Sequence, residues 1–366
     1  MKVQLNIAKP ESWLTKNKKV IIAGPCSAES EDQVLATAHA LSKSGNYDIF
    51  RAGIWKPRTR PNSFEGIGSV GLKWLQRVKE ETGMKIIIEV ASKYHVEEAL
   101  KHEVDMLWVG ARTTVNPFSV QEIADALHGH DIPVFIKNPV SPDLQLWIGA
   151  LERMNKAGIT KLAAIHRGFI PLSASQFRND PIWELPIELK RIVPDLPIIC
   201  DPSHICGARE LISNVAQKAL DLQMDGLMIE SHINPDAALS DPKQQLTPDA
   251  LNRLIKGLIF RDKYSDDSDF SKRLENLRNQ IDTVDEELLS LISSRMKISE
   301  EIAWEKKKSK VTILQVNRYK EILKDRRVQG GKLNLNAEFV QSLYKLIHRY
   351  SIQKQSEIMN SVVKTI

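Results

Sequence analysis

Four residues in this chain carry side chains that divalent metals favour, and each lies at or beyond the end of a short apolar run. Cys26 follows "VIIAGP", His204 closes "DPSH" after "PIIC", Glu230 ends the apolar part of "GLMIESH", and Asp241 stands in the next loop. One thiolate, one imidazole and two carboxylates make a mixed soft and hard donor set. Each alone has a plainer reading: a buried cysteine is most often a small hydrophobe, and a lone histidine is mostly structural. Together they point to a metal. Because 178 residues separate Cys26 from His204, only a fold that returns to its own beginning can join them.

A second set is cationic: Arg51, Lys56, Arg58, Arg112, Lys137 and Arg167. Surface Lys and Arg are usually just solvated. These instead cap apolar runs in a region that is not basic, since residues 1–269 hold 32 Lys and Arg against 34 Asp and Glu. Arginine's planar fork suits phosphate and carboxylate. The two sets together read as a metalloenzyme whose substrates carry at least two anionic groups.

The elements that must position these residues are regular. Apolar, β-branched runs occur at 20–25, 49–53, 85–90, 106–111, 133–138, 162–168, 197–203 and 226–232, with amphipathic helical patterns between them. Continuous apolar strands alternating with helices indicate a parallel sheet covered by helices. Eight evenly spaced units predict an α/β fold closed as a (β/α)₈ TIM barrel, whose strand C-termini converge on one mouth.

After "GLIFRDKYSDDSDFSK" the pattern changes. We expect the barrel over 1–262, a linker over 263–270, and an all-α domain of three helices over 271–366. The first helix carries Leu274, Leu277, Ile281, Val284, Leu288 and Leu291 and runs to about 308 without Pro or Gly; the second covers 312–327 and is broken by "QGGKLN"; the third covers 336–359. Three helices with so long a leader cannot bury all their apolar faces alone, so a homodimer or higher homo-oligomer is expected.

Composition narrows the class. The 366 residues are 42% hydrophobic and 27% charged, and no apolar run reaches the 18 or so residues that would span a bilayer. The first 19 residues have no signal-peptide pattern. Three cysteines suit a reducing cytoplasm rather than a disulfide framework. Residues 270–366 hold 19 Lys and Arg against 12 Asp and Glu. They show no helix-turn-helix or aromatic platform, so neither a nucleic-acid nor a membrane partner is expected.

The motifs "AGPCSAES", "RAGIWKPRT", "GAR", "IKN", "IHRGF", "DPSH" and "MIESH…D" resemble those of 3-deoxy-D-arabino-heptulosonate 7-phosphate (DAHP) synthase, type Iβ, over about 18–260. The resemblance implies condensation of phosphoenolpyruvate with erythrose 4-phosphate. It implies Cys26, His204, Glu230 and Asp241 as ligands of a divalent metal, Mn2+ first, with Fe2+, Co2+ or Zn2+ as alternatives. It also implies Arg51, Lys56, Arg112, Lys137 and Arg167 as the phosphoenolpyruvate cradle, with Lys56 catalytic, and Arg58 and Thr59 as contacts to erythrose phosphate. Lys56, His204, Glu89 and Asp201 are the candidate proton donors. The related octulosonate synthase, which uses arabinose 5-phosphate, resembles "KANR" where this chain reads "KPRT". The family's longer members carry an N-terminal regulatory domain; with about 18 residues before the first strand, none is expected here.

From about 271 to 359 the chain resembles an AroQ-type chorismate mutase, through "LENLRNQIDTVDEELLSLISSRMKISEEIAWEKKK" and "RYSIQKQ". This implies rearrangement of chorismate to prephenate, with Arg278, Arg295, Lys306, Arg318 and Gln355 catalytic and Gln315 and Ser351 binding substrate. Arg295 and Lys306 stand 11 residues apart, about three turns, and share a face. Ser351 and Gln355 stand at i and i+4. Arg278 points about 100° away from Arg295; in the family that arginine comes from the partner subunit. Many family members have an acidic residue at the position of Gln315, and Glu or Gln at that of Tyr319. The fusion predicts feedback on the barrel by chorismate or prephenate. The competing expectation makes the helices a non-catalytic sensor and dimerisation module.

Overall fold

The structure is a computed structural model and describes residues 3–14, 19–44, 47–56, 64–171 and 173–361. The chain divides into two compact units, Met1–Lys263 and Tyr264–Ile366. In the first, eight parallel strands close into a barrel in sequence order: β1 (Val20–Gly24), β2 (Ile49–Arg51), β3 (Lys85–Val90), β4 (Met106–Val109), β5 (Val134–Lys137), β6 (Leu162–His166), β7 (Ile198–Cys200) and β8 (Gly226–Glu230). Closure pairs β1 with β8, setting Gly24 beside Glu230.

Both faces of these strands are buried, which explains their unbroken apolar sequence. One face fills the lumen with residues such as Ile22, Ile87, Trp108, Phe135 and Met228. Trp13 packs into this lumen cluster, its ring edge-on to Phe135 at 5.9 Å. The other face packs under the helices; Trp147 lies on this side and donates its indole N–H to Ile136 O at 3.0 Å.

Local signals set the helix ends. Ser30 caps Glu31–Ser42 by accepting from Gln33 N, and Gly83, at φ 71°, ends Val70–Thr82. Gly24 has φ 145°, and a Cβ there would lie 2.1 Å from Arg51 O. Only glycine lets the end of β1 pass so close to β2 and deliver Cys26 to the mouth.

The second unit is helical: Ser268–Lys308, Val316–Lys332 and Ala337–Asn360. Asp267 caps the first helix, which therefore starts inside the stretch read as linker. The Gly330–Gly331 pair does not break the second helix as expected. A Cβ on Gly330 would meet Val340 Cγ2 at 2.6 Å, so the glycine serves close helix packing. The turn falls later, at Asn334, with φ 58°. The last helix is capped by Asn336. Among the described residues no helix is long and apolar enough to cross a membrane.

Candidate active site

The barrel mouth carries a buried ionic network. Arg51 ends β2, is 1% exposed, and reaches Glu230 Oε1 at 3.1 Å and Asp201 Oδ2 at 3.9 Å. Its guanidinium also lies 5.0 Å from the centre of the Trp108 ring. Lys137 ends β5 and donates to Asp201 Oδ2 at 2.9 Å. Asp201 follows β7 and caps the short Pro202–Cys206 helix, accepting from His204 N at 3.1 Å. Its Oδ2 lies 2.8 Å from His204 Nδ1. Burial opposes its charge, but His204 and Lys137 hold the carboxyl well below its ordinary range. Burial also lowers the pKa of Lys137 and of His204, against the pull of Asp201.

The expected metal ligands meet here as two pairs. Cys26 Sγ lies 3.3 Å from Asp241 Oδ2, and His204 Nε2 lies 3.6 Å from Glu230 Oε1. Among the described residues no group of three such side chains converges closely enough to hold a metal. Protein groups occupy the donors instead. Lys56 Nζ lies 3.0 Å from Cys26 Sγ, Arg178 donates to Asp241 Oδ1 at 2.8 Å, and Gln244 donates to Glu230 Oε2 at 2.6 Å. Burial first, then the nearby carboxylates, push the Cys26 thiol up to about 12. Glu230 Oε1 is buried with no hydrogen bond, and His204 and the Arg51 guanidinium face its charge. The donor types and the spacing within each pair fit a divalent cation.

Above this network lies a cavity of about 600 Å³, open mouth included. Lys56, Arg112, Lys137, Arg167 and Arg178 bring positive charge to its lining, against Glu89 and Asp241. Arg167 donates to Asn179 Oδ1 at 2.5 Å, and burial lowers its pKa to about 10. Lys56 keeps its proton more firmly than usual: burial opposes the charge, but Cys26, Glu89 and Glu230 outweigh it. Gly110 lets the Glu89 carboxylate lie close to the end of β4: a Cβ there would lie 2.0 Å from Glu89 Oε1 and would push that side chain aside. Arg58 and Thr59 lie outside the described residues.

Arg178, Gln244 and Gln245 were not expected. They stand in loops without an apolar run to mark them, and nothing in their spacing gives them away.

The helical unit joins some of its expected residues and not others. Arg295 donates to Ser351 Oγ at 2.8 Å, and Lys306 donates to Gln355 Oε1 at 3.3 Å. Gln355 in turn donates to Ser299 Oγ at 3.1 Å. His348, also unexpected, stacks on Tyr319 with centres 4.2 Å apart; burial, then Arg295 and Lys306, lower its pKa. Arg278 is exposed and pairs with Glu275 at 3.8 Å; at about 1.5 Å per residue it stands about 25 Å along the helix from Arg295. Arg318 is exposed and pairs with Glu321 at 3.2 Å. Gln315, the N-cap of the second helix, is exposed; its carbonyl accepts from Tyr319 N at 3.0 Å, and its side chain makes no capping bond.

Comparison with known proteins agrees with this division. Residues 7–262 match the family described as the DAHP synthetase I family, and residues 277–356 match chorismate mutase type II. Phospho-2-dehydro-3-deoxyheptonate aldolase of Thermotoga maritima is 31% identical over 236 residues, 64% of this chain and 68% of that protein. A 2-dehydro-3-deoxyphosphooctonate aldolase of Nitratidesulfovibrio vulgaris is 26% identical over 66% of this chain and 91% of its own length. A crystal structure of the Thermotoga maritima aldolase, a DAHP synthase, superposes with a TM-score of 0.59 at 30% identity, covering 65% of this chain and 67% of that one. A truncated DAHP synthase from the same organism gives 0.57 at 27% identity, covering 65% and 84%.

Proposed function

This chain belongs to the DAHP synthetase I family and carries a chorismate mutase domain, and from that premise we propose that it performs two reactions. The barrel condenses phosphoenolpyruvate with erythrose 4-phosphate, releasing phosphate, and the helices rearrange chorismate to prephenate. The observation that carries the first reading is the cationic cavity set above a buried ionic network.

Two phosphate-bearing substrates repel one another. Arg112, Lys137 and Arg167 hold the phosphate and carboxylate of phosphoenolpyruvate, while Arg58 and Thr59 take the sugar phosphate. This placement supplies proximity and neutralises charge. The C3 carbon of phosphoenolpyruvate then bonds to the aldehyde carbon, and the aldehyde oxygen takes a proton. Water adds at C2 and gives one proton back to the group that protonated the aldehyde oxygen; the C2–O bond to phosphate then breaks, the added oxygen becomes the C2 keto oxygen, and its remaining proton leaves with the phosphate. We assign the proton delivered to the aldehyde oxygen to Lys56, which lines the cavity and is held protonated. Asp201 is buried and committed to Lys137 and His204, so it positions them.

The family is generally metal-dependent. Cys26, His204, Glu230 and Asp241 would hold the cation, Mn2+ by preference. When bound, such an ion polarises the aldehyde carbonyl as a Lewis acid.

In the helical unit, Arg295, Lys306, Ser351 and Gln355 form the half of a chorismate pocket that one chain supplies. Arg278 comes from a second copy, and Arg318 and Gln315 close on bound substrate. The apolar row Leu277, Ile281, Val284, Leu288 and Leu291, each at least half exposed in one chain, is the surface that dimerises. Prephenate or chorismate bound there restrains the barrel. Three free thiols suit the cytoplasm.

The test is one preparation of full-length protein, stripped by chelator and reloaded with Mn2+. It should consume phosphoenolpyruvate only with an aldose phosphate present, and separately convert chorismate. Arg295→Ala should remove the second activity. A wild type inert toward chorismate would reduce the helices to a sensor and dimerisation module, and one inert toward phosphoenolpyruvate would overturn the barrel reading.

A further inference from the structure

The loop after β8 carries Asp241 and is tied down by two consecutive buried glutamines that face opposite ways. Gln245 Oε1 accepts from the Cys26 backbone N–H at 2.8 Å, and its Nε2 donates to Ser240 O at 2.8 Å. Ser240 Oγ also meets Ser27 Oγ at 2.5 Å. One amide, with a second hydroxyl link, thus fastens the residue before Asp241 to the end of β1. Gln244 does the same on the other side. It donates to Glu230 Oε2 at 2.6 Å and accepts from Arg178 at 2.8 Å, and Arg178 also holds Asp241. Backbone bonds close the loop: Leu246 N donates to Glu230 O at 3.0 Å, and His232 N donates to Leu246 O at 2.9 Å.

These contacts have a direction. Gln244 and Gln245 are 1% and 0% exposed, so neither amide has water as an alternative partner, and every polar atom named above is spoken for. Asp241 itself sits at φ 50°, a backbone conformation an aspartate adopts at a cost and keeps only where its surroundings insist. The loop is therefore built to hold one carboxylate in one place. Its anchors are the backbone of Cys26 and the carboxylate of Glu230.

We propose that Gln244 and Gln245 are positioning residues that fix the spacing of Cys26, Glu230 and Asp241 and so set the mouth's affinity for a divalent cation; this rests on the cation reading above. Outer hydrogen bonds that orient ligands typically govern metal affinity by about 10–100-fold. Gln245→Met keeps the length of the side chain and removes both bonds. Gln245→Glu keeps the acceptor for Cys26 N–H and loses the donor to Ser240 O.

The experiment measures Mn2+ affinity of the full-length chain by chelator competition, with thermal unfolding of the cation-free protein beside it. Gln245→Met should weaken Mn2+ binding about 10–100-fold, with Gln245→Glu between it and wild type. Unfolding of the cation-free forms should move much less than affinity does. Ser240→Ala, which removes only the hydroxyl link to Ser27, should weaken binding by a smaller factor, and it carries the test if Gln245→Met does not fold. Unchanged affinity in these variants, or a loss matched by an equal loss of cation-free stability, overturns the clamp alone. A wild type that takes up no Mn2+ overturns the cation reading and the clamp with it.

Discussion

The barrel mouth and the helical unit gather their cationic side chains in opposite ways. In the barrel, Arg51, Lys137, Asp201 and Glu230 are almost completely buried and pair their charges within one chain. In the helical unit, Arg295 and Lys306 find partners, whereas Arg278 and Arg318 lie exposed on neighbours of their own helices. A closed sheet brings distant residues together by topology. A long helix spaces its residues out along an axis and needs a second surface to gather them.

Four variants probe that contrast. The largest effect is expected from Arg51→Ala, which leaves Glu230 and Asp201 without their buried guanidinium. Removing one partner of a buried ionic group costs about 3–5 kcal/mol, to be read by denaturant unfolding, and phosphoenolpyruvate consumption should fall with it. A cost near that of an exposed pair, below about 1 kcal/mol, would mean the network is not closed as described.

Next come Arg278→Ala and Arg295→Ala. Each removes a positioned donor, and chorismate conversion should fall by about 10²–10³-fold in either variant alone. Unfolding and refolding the two together should restore part of the activity, since mixed dimers contain one intact pocket. A mixture as inactive as its parents would show that the pocket is not shared between copies.

The smallest effect is on acid stability. Burial opposes the charges of Asp201 and Asp241, but His204 and Lys137 at the first, and Arg178 and His204 at the second, hold both below the ordinary carboxylate range. The unfolded chain takes up protons near pH 4 while the folded chain does not. Stability contributed by the pair is therefore present above about pH 4 and is lost as the pH falls below it. Asp201→Asn should flatten the fall in unfolding free energy over that range. An unchanged slope would remove Asp201 from the account.

The same contrast explains what the sequence disclosed. Strands buried on both faces must be apolar throughout, so all eight appear as runs, and their ends betray Arg51, Lys137 and Glu230. Arg178 and the Gln244–Gln245 pair stand in loops whose partners are set by tertiary folding, and no local pattern marks them. Gly330 and Gly331 read as a helix break because glycine usually weakens helices; contact with Val340 overrode that preference. His348 was hidden for a similar reason, as stacking on Tyr319 depends on how two helices meet.

The most direct test offers Mn2+-loaded full-length protein phosphoenolpyruvate together with equal erythrose 4-phosphate and arabinose 5-phosphate, and weighs the products. A seven-carbon phosphosugar acid is expected, with one phosphate released for each phosphoenolpyruvate consumed. An eight-carbon product in excess, or phosphoenolpyruvate left intact, would contradict the barrel reading.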